Sequence, residues 1–222
     1  MMRRILAALT GIGFCLAATI ALGGDADRKV VLAKPTPNQS ATPLPGDSLY
    51  QLPVTLTTAS GTSMRLSEMR GSPALITMFY SRCTSVCPLL TMQLQRITQR
   101  LSRSEQRRLR VLMVSFDSAR DTPESLSAFA HEHNIAGENW ILARASATDI
   151  RALAAALGVQ YRELQDHSFS HATLISLADR DGVVRDKTTD LTDVQDKFVS
   201  AIRHQLAPCV HANSQTRGRI SH

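Results

Sequence analysis

Residues 78–91, MFYSRCTSVCPLLT, decide the fold and the chemistry that this chain predicts. The stretch joins an apolar run to an amphipathic helical pattern, so Cys83 and Cys87 are expected at a strand-to-helix turn. In the first turn of a helix, side chains four residues apart lie on one face, roughly 6 Å from each other, close enough to share a metal ion or close a disulfide. The positive end of the helix dipole favours thiolates, which bind soft metals and attack disulfides. The alternative is two buried cysteines that pack as small apolar residues.

The N-terminal segment indicates export. Residues 1–23 place two arginines before an apolar run, which predicts a signal peptide or an N-terminal membrane anchor through residues 5–22. The expected location is the periplasm or the outer face of the inner membrane, where disulfides persist. A metal-binding cysteine pair there needs a partner that keeps it reduced. Cys15 lies in this segment and is assigned no role.

Length and composition predict one main domain. The chain has 222 residues, of which 43% are hydrophobic, enough for one packed core. Residues 24–47 mix charge with four prolines and predict a linker, residues 48–207 predict the domain, and residues 208–222 predict a flexible tail.

The net charge of +6 comes largely from arginines on one predicted helix and the loop after it: Arg96, Arg100, Arg103, Arg107, Arg108 and Arg110. A solvated helical face is the preferred interpretation, and a docking patch for an acidic partner is the alternative. No nucleic-acid partner is expected, because aromatic residues make up only 5% of the chain and no recognised binding motif is present.

Hydrophobic periodicity predicts an α/β fold with a central mixed β-sheet flanked by helices and an extra N-terminal hairpin. The hairpin is expected around residues 54–66, where apolar and polar residues alternate. The remaining predicted elements are strands at 74–80, 111–116 and 140–142, helices after each of them, a closing hairpin of 171–177 with 183–185, and a last helix at 192–206.

Seven histidines are candidates for a third metal ligand: His131, His133, His167, His171, His204, His211 and His222. His171 is predicted to open a strand of the closing hairpin. In a thioredoxin-type arrangement that strand start lies beside the cysteine turn. Position alone still favours an ordinary strand-edge histidine.

From about residue 54 to 206 the sequence resembles the Sco/SenC family of exported thioredoxin-like proteins that serve copper-site assembly in cytochrome oxidases. The motifs that carry the resemblance are FYSRCTSVCP at 79–88, SFDSARDTPE at 115–124 and HATLISLADRDG at 171–182. The family has a leucine six, an aspartate eight and a glycine eleven residues after its metal histidine. His171 satisfies this spacing and His167 does not.

The resemblance implies a thioredoxin-like fold in which Cys83, Cys87 and His171 bind copper. Two thiolates and an imidazole suit three-coordinate Cu(I) and, with an added ligand, Cu(II), whereas structural zinc normally takes four protein ligands. The resemblance also suggests that Asp117 orients a ligand or tunes thiol reactivity from the outer shell. An aspartate that merely caps the next turn explains Asp117 equally well.

The leading functional hypothesis is a metallochaperone that delivers copper to the binuclear copper A site of a cytochrome c oxidase subunit. Expected partners are that subunit, another periplasmic copper chaperone and a thioredoxin-like reductant. The alternative is a thiol-disulfide oxidoreductase that uses Cys83 and Cys87 to reduce the recipient's cysteines; a peroxidase-like relative is disfavoured. Thr84 and Ser85 replace the proline and acidic residue frequent in the family, which leaves the balance of these two activities open.

Cys209 is an odd third cysteine of the mature chain. It is expected to be inert. The alternatives are a disulfide between chains and, with His211, a weak accessory metal site.

Overall fold

The computed structural model describes residues 43–207. The predicted signal or anchor segment, most of the predicted linker and the C-terminal tail with Cys209 lie outside these residues. Within them, every helix is too short or too polar to cross a bilayer.

The described chain contains nine strands, five α-helices and two short 3-10 helices. The strands are β1 (Thr55–Thr58), β2 (Ser63–Arg65), β3 (Ala74–Phe79), β4 (Arg110–Ser115), β5 (Trp140–Ala145), β6 (Tyr161–Glu163), β7 (Phe169–His171), β8 (Ile175–Ala178) and β9 (Val184–Thr188). The α-helices are α1 (Val86–Gln99), α2 (Arg103–Arg108), α3 (Pro123–Glu132), α4 (Ala147–Leu157) and α5 (Asp196–Leu206), and the 3-10 helices are Leu49–Gln51 and Leu66–Met69.

The main sheet has seven strands in the order β2-β1-β5-β4-β3-β8-β9. β3, β4 and β5 are parallel, whereas β1 and β8 run antiparallel to their neighbours. All six residues of β3 are buried, as expected of a central strand with both faces covered. The predicted α/β class, the mixed sheet and the N-terminal hairpin β1–β2 are confirmed.

Helix boundaries follow local sequence signals. Thr122 caps α3 by accepting a hydrogen bond from the Ser125 backbone, with Pro123 at the first helical position. Gly158 ends α4 with a φ of 77°, a conformation that glycine adopts without strain. The short helix α2 was not predicted as a separate helix; Ser102 and Glu105 form its capping box.

The prediction that residues 171–177 form one strand is wrong. β8 begins only at Ile175, and His171 instead ends β7, which pairs with β6 in a separate two-stranded sheet. This hairpin has no apolar alternation in its sequence, and its turn contains His167 at a φ of 62° instead of a glycine. The usual sequence signals for a hairpin are therefore missing.

Candidate metal centre

Three segments of the chain meet at one edge of the main sheet. The parallel strands β3 and β4 both end there, with Phe79 opposite Ser115. β8 is antiparallel to β3 and starts at the same edge, where the Thr77 hydroxyl donates to the Leu174 carbonyl at 2.7 Å. The turn after β3 and the segment before β8 therefore lie side by side, which brings His171 to the cysteine turn.

The cysteine turn differs from the predicted helical face in one respect. α1 starts at Val86, so only Cys87 is helical, and Cys83 lies in the turn before it. The Cys87 backbone N–H donates to the Cys83 sulfur at 3.3 Å, while the Ser85 side chain makes no capping hydrogen bond. The Cys83 sulfur thus takes the place of a helix-capping oxygen, and this contact holds the two cysteines together.

The two thiols are free and electrostatically unequal. The pKa of the Cys83 thiol is lowered well below its usual range, chiefly because the Cys87 thiol donates a hydrogen bond to it; the His171 imidazole supports this shift and burial opposes it. The same hydrogen bond, together with burial, raises the pKa of Cys87. The pair therefore holds one proton and one negative charge near neutral pH.

His171 lies in an aromatic pocket at the end of β7. Its ring centroid is 4.9 Å from that of Phe116 and 6.2 Å from that of Tyr80. Nδ1 lies 3.3 Å from the Ala172 carbonyl oxygen, whereas Nε2 is buried and has no hydrogen-bond partner among residues 43–207. A buried polar atom without a partner is uncommon and costs free energy, so Nε2 is the nitrogen available to a metal ion.

Cys83, Cys87 and His171 together form a site of suitable size and chemistry for a soft metal. Their candidate ligand atoms all lie within 4.8 Å of one another. Cys83 and Cys87 are 4% and 0% exposed, while His171 is half-buried. Two sulfurs and one imidazole nitrogen match Cu(I), and the unpartnered Nε2 fits a ligand role.

Asp117 is buried, with 2% exposure, and lies in an ion-pair cluster beside the three candidate ligands. Its two carboxylate oxygens accept hydrogen bonds from Arg120 Nε at 2.9 and 2.7 Å, and Oδ2 lies 3.6 Å from Arg82 Nη2. Within residues 43–207, its carboxylate makes no hydrogen bond or ion pair with a candidate ligand. Its carboxylate reaches the cysteine turn through Arg82, which directly precedes Cys83.

Arg120 joins this cluster to the hairpin that carries His171. Its Nη2 donates to Glu163 Oε1 at 3.0 Å, and its guanidinium carbon lies 5.5 Å from the centroid of the Phe169 ring. Phe169 pairs with Glu163 across β6–β7, two residues before His171. One half-buried guanidinium thus connects the end of β4 to both strands of the hairpin.

Asp121 is a positioning residue that the sequence analysis did not identify. It is 1% exposed and accepts hydrogen bonds from the Ser81 backbone at 3.0 Å and from the hydroxyls of Ser81 and Ser115. It thereby ties the cysteine turn to the end of β4. Its place in the SFDSARDTPE motif was the available signal, but that motif does not show which aspartate turns inward.

The other described histidines lie outside the group of three ligands. His167 Nδ1 is 2.9 Å from Glu163 Oε1 on the exposed hairpin turn, and the His133 ring packs at 4.2 Å on Phe129. His131 and His204 lie near the ends of α3 and α5, and His211 and His222 lie outside the described residues.

The fold and the site together define a class: an α/β protein with a thiol pair at a strand-to-helix turn and a histidine supplied from late in the chain. The SCO1/SenC family model matches residues 44–207. The match covers most of the sequence, so the chain belongs to the SCO1/SenC family.

Individual relatives are distant in sequence and close in fold. A SCO1 protein homolog of Bacillus subtilis (strain 168) is 25% identical over 88 residues, which span 40% of this chain and 45% of that relative. The structure of Bradyrhizobium japonicum ScoI with copper bound is 20% identical, with a TM-score of 0.60 over 69% of this chain and 97% of that one.

A structure of BsSco, described as a member of the Sco family of cytochrome c oxidase assembly proteins with a disulfide switch, is also 20% identical. Its TM-score is 0.62 over 71% of this chain and 94% of that chain. These likenesses confirm the predicted thioredoxin-like fold.

Proposed function

We propose that this protein is a copper metallochaperone that delivers copper to the binuclear copper A site of cytochrome c oxidase during assembly. The observation that carries the proposal is the convergence of the buried sulfurs of Cys83 and Cys87 with the unpartnered Nε2 of His171. Membership of the SCO1/SenC family supports it, since ScoI of B. japonicum has a copper-bound structure and BsSco is described as an oxidase assembly protein.

A site with three protein ligands suits a metal ion that is bound and then transferred. A four-ligand site is closed, whereas a three-ligand site leaves room for a ligand from the recipient. During handover, copper stays Cu(I); its bonds to Cys83, Cys87 and His171 are exchanged for bonds to the recipient's ligands. The recipient thiol that binds Cu(I) loses one proton, and one proton returns to the Cys87 sulfur, which restores the pair with one proton and one negative charge. No atom changes its oxidation state.

The proposal includes the surroundings that the sequence predicts. Export through residues 1–23 would place the domain in the periplasm or at the outer face of the inner membrane. There a second copper chaperone would load the site and a thioredoxin-like protein would keep Cys83 and Cys87 reduced. Asp117 would act on the site through Arg82 and Arg120.

The ligand set is tested by replacing each candidate ligand. Cys83→Ser, Cys87→Ser and His171→Ala should each lower Cu(I) affinity by more than about 100-fold, since even outer-shell changes at metal sites cost roughly 10–100-fold. Affinity is measured by competition with a Cu(I) chelator under reducing conditions. His167→Ala, on the same hairpin, is the matched control and should bind as the wild type does. Normal affinity in His171→Ala would remove the three-ligand model.

A second candidate function is reduction of the recipient's cysteines. The unequal thiols favour it, because Cys83 has the thiolate character of an attacking sulfur while Cys87 keeps its proton and lies within reach to resolve a mixed disulfide. In this reaction Cys83 and Cys87 give up two electrons and their one proton and become a disulfide. The substrate disulfide takes up those two electrons, that proton and a second proton from water. The two functions separate at His171, because copper binding requires its imidazole as a ligand, whereas in disulfide reduction the ring only supports the Cys83 thiolate.

A further inference from the structure

In the described part of the chain, exposed large apolar side chains are confined to α1 and the β6–β7 hairpin, the two elements that carry the candidate ligands Cys87 and His171. Among residues 43–207 they are Leu89, Met92 and Leu164, at 50%, 44% and 37% exposure. Leu89 and Met92 lie on α1, two and five residues after Cys87, and Leu164 lies in the turn of the hairpin that ends at His171. Single exposed apolar residues are ordinary, but their restriction to the surroundings of one site indicates recognition.

Leu89 and Met92 form one outward-facing pair. Residues three apart on a helix are neighbours on its surface, and Cys87 on the same helix is 0% exposed and points inward. With a rise of about 1.5 Å per residue, Met92 lies roughly 8 Å along the helix from Cys87. The apolar pair therefore begins beside the metal ligands.

The charged side chains of the cysteine turn and α1 have a single sign, although Arg82 and Arg100 contact Asp117 and Asp196 on other elements. Residues 81–100 contain three arginines and no acidic residue. Arg82, directly before Cys83, is 59% exposed despite its contact with Asp117, and Arg96 is exposed one helical turn after Met92. The positive end of the α1 dipole adds to this potential. An acidic partner complements such a surface, and a basic one is repelled.

We propose that Arg82, Leu89, Met92 and Arg96, here called the α1 surface, form the docking surface for an acidic protein that offers thiolate ligands to copper. The inference rests on the proposed function and adds the surface and the charge of the recipient. The sulfurs of Cys83 and Cys87 are almost fully buried, so an incoming ligand must be held against the protein until it reaches the metal. An apolar pair flanked by cations next to the site provides that contact.

The test measures transfer of Cu(I) from the copper-loaded protein to the reduced, metal-free copper A domain of a cytochrome c oxidase subunit. Two variants leave the candidate ligands and Arg82 intact: Leu89→Gln with Met92→Gln, and Arg96→Glu. Each should lower the second-order transfer rate about tenfold while Cu(I) affinity stays unchanged. Salt should slow wild-type transfer, because it screens the attraction between surface charges.

Arg103→Glu on α2 is the matched control for charge. It makes the same change at an exposed arginine away from the cysteine turn, and at about 0.15 M salt, where screening acts over roughly 8 Å, transfer should stay at the wild-type rate.

Wild-type transfer with undiminished rates in both α1 variants would overturn the docking surface and leave the proposed function intact. No transfer by the wild type would overturn the recipient and the docking surface together, while copper binding would still be judged from the ligand variants. Unchanged transfer, combined with loss of binding to phosphatidylglycerol vesicles in both variants, would reassign the α1 surface to a membrane.

Discussion

The cysteine turn and the histidine hairpin supply one site from two structurally different supports. The turn follows β3, whose six residues are all buried, and the buried carboxylate of Asp121 ties it to β4. The hairpin β6–β7 stands apart from the main sheet, and its turn residues are exposed. Packing of Phe169 on Phe116 at 4.9 Å and the bridge through Arg120 hold it.

Because of this difference, the sulfurs and the imidazole are held in place with unequal firmness. The sulfurs of Cys83 and Cys87 are positioned by the core, whereas the imidazole of His171 is carried by an element with few backbone ties. Elements of the second kind open at lower free energy than the core does. We therefore expect the dithiol to be fixed and the imidazole to be the adjustable ligand.

The largest effect is expected at Asp121. Asp121→Ala leaves the buried Ser115 hydroxyl and the partly buried donors of Ser81 without their acceptor, and should lower the free energy of unfolding by about 3 kcal/mol. Urea denaturation measures this. Asp166→Ala removes a carboxylate that also accepts two hydrogen bonds, but in the exposed hairpin turn, and should cost less than about 1 kcal/mol. An equal loss of unfolding free energy in the two variants would show that the cysteine turn is held no more firmly than the hairpin.

Loss of the bridge should loosen the hairpin without unfolding the domain. Arg120→Ala is expected to lower Cu(I) affinity about tenfold, in the range of outer-shell changes at metal sites. It also leaves the buried Asp117 carboxylate with only Arg82 as its partner, so stability falls as well.

The double variant Asp117→Asn with Arg120→Ala separates these two effects. Removing the carboxylate should restore much of the stability but not the Cu(I) affinity, because the hairpin stays untethered. If affinity and stability recovered together, Arg120 would have only a structural role.

The contribution of the thiol pair to the free energy of unfolding should pass through a maximum as pH rises. Below the ordinary thiol pKa of about 8.5, the unfolded pair binds two protons and the folded pair one, so stability rises with pH. Above it the unfolded pair binds none while Cys87 keeps its proton, so stability falls. The difference in unfolding free energy between the wild type and Cys83→Ser/Cys87→Ser, measured under reducing conditions, should be largest near that pH. A difference that does not vary with pH would contradict the shared proton.

The smallest effect is expected at Glu163. Glu163→Gln removes one end of the bridge but leaves Arg120 on Asp117 and on the Phe169 ring. Exposed ion pairs contribute roughly 0.2–1 kcal/mol, so Cu(I) affinity should fall less than about fivefold and the urea midpoint should hardly change. If Glu163→Gln lowered Cu(I) affinity as much as Arg120→Ala does, the contact between Arg120 and Glu163 would account for the whole effect of Arg120.

The cysteine pair could be predicted from the sequence more fully than the position of His171. Cys83 and Cys87 are close in sequence, and the strand, turn and helix around them carry strong local patterns, so their proximity followed from spacing. His171 was singled out by a family resemblance and by an expected strand start. Its nearness to the sulfurs emerged as expected, but the strand assigned to it was wrong.

The sequence by itself determined the α/β class, the cysteine turn and the strands of the main sheet apart from the start of β8, because these depend on local periodicity and on caps such as Thr122 and Gly158. Tertiary structure alone decided that His171 sits on a hairpin outside the sheet, that Arg120 tethers this hairpin, and that Asp121 rather than Asp117 ties the turn to β4. Those arrangements depend on contacts between residues far apart in the chain. Their free energies come from burial and ion pairing that no local pattern records.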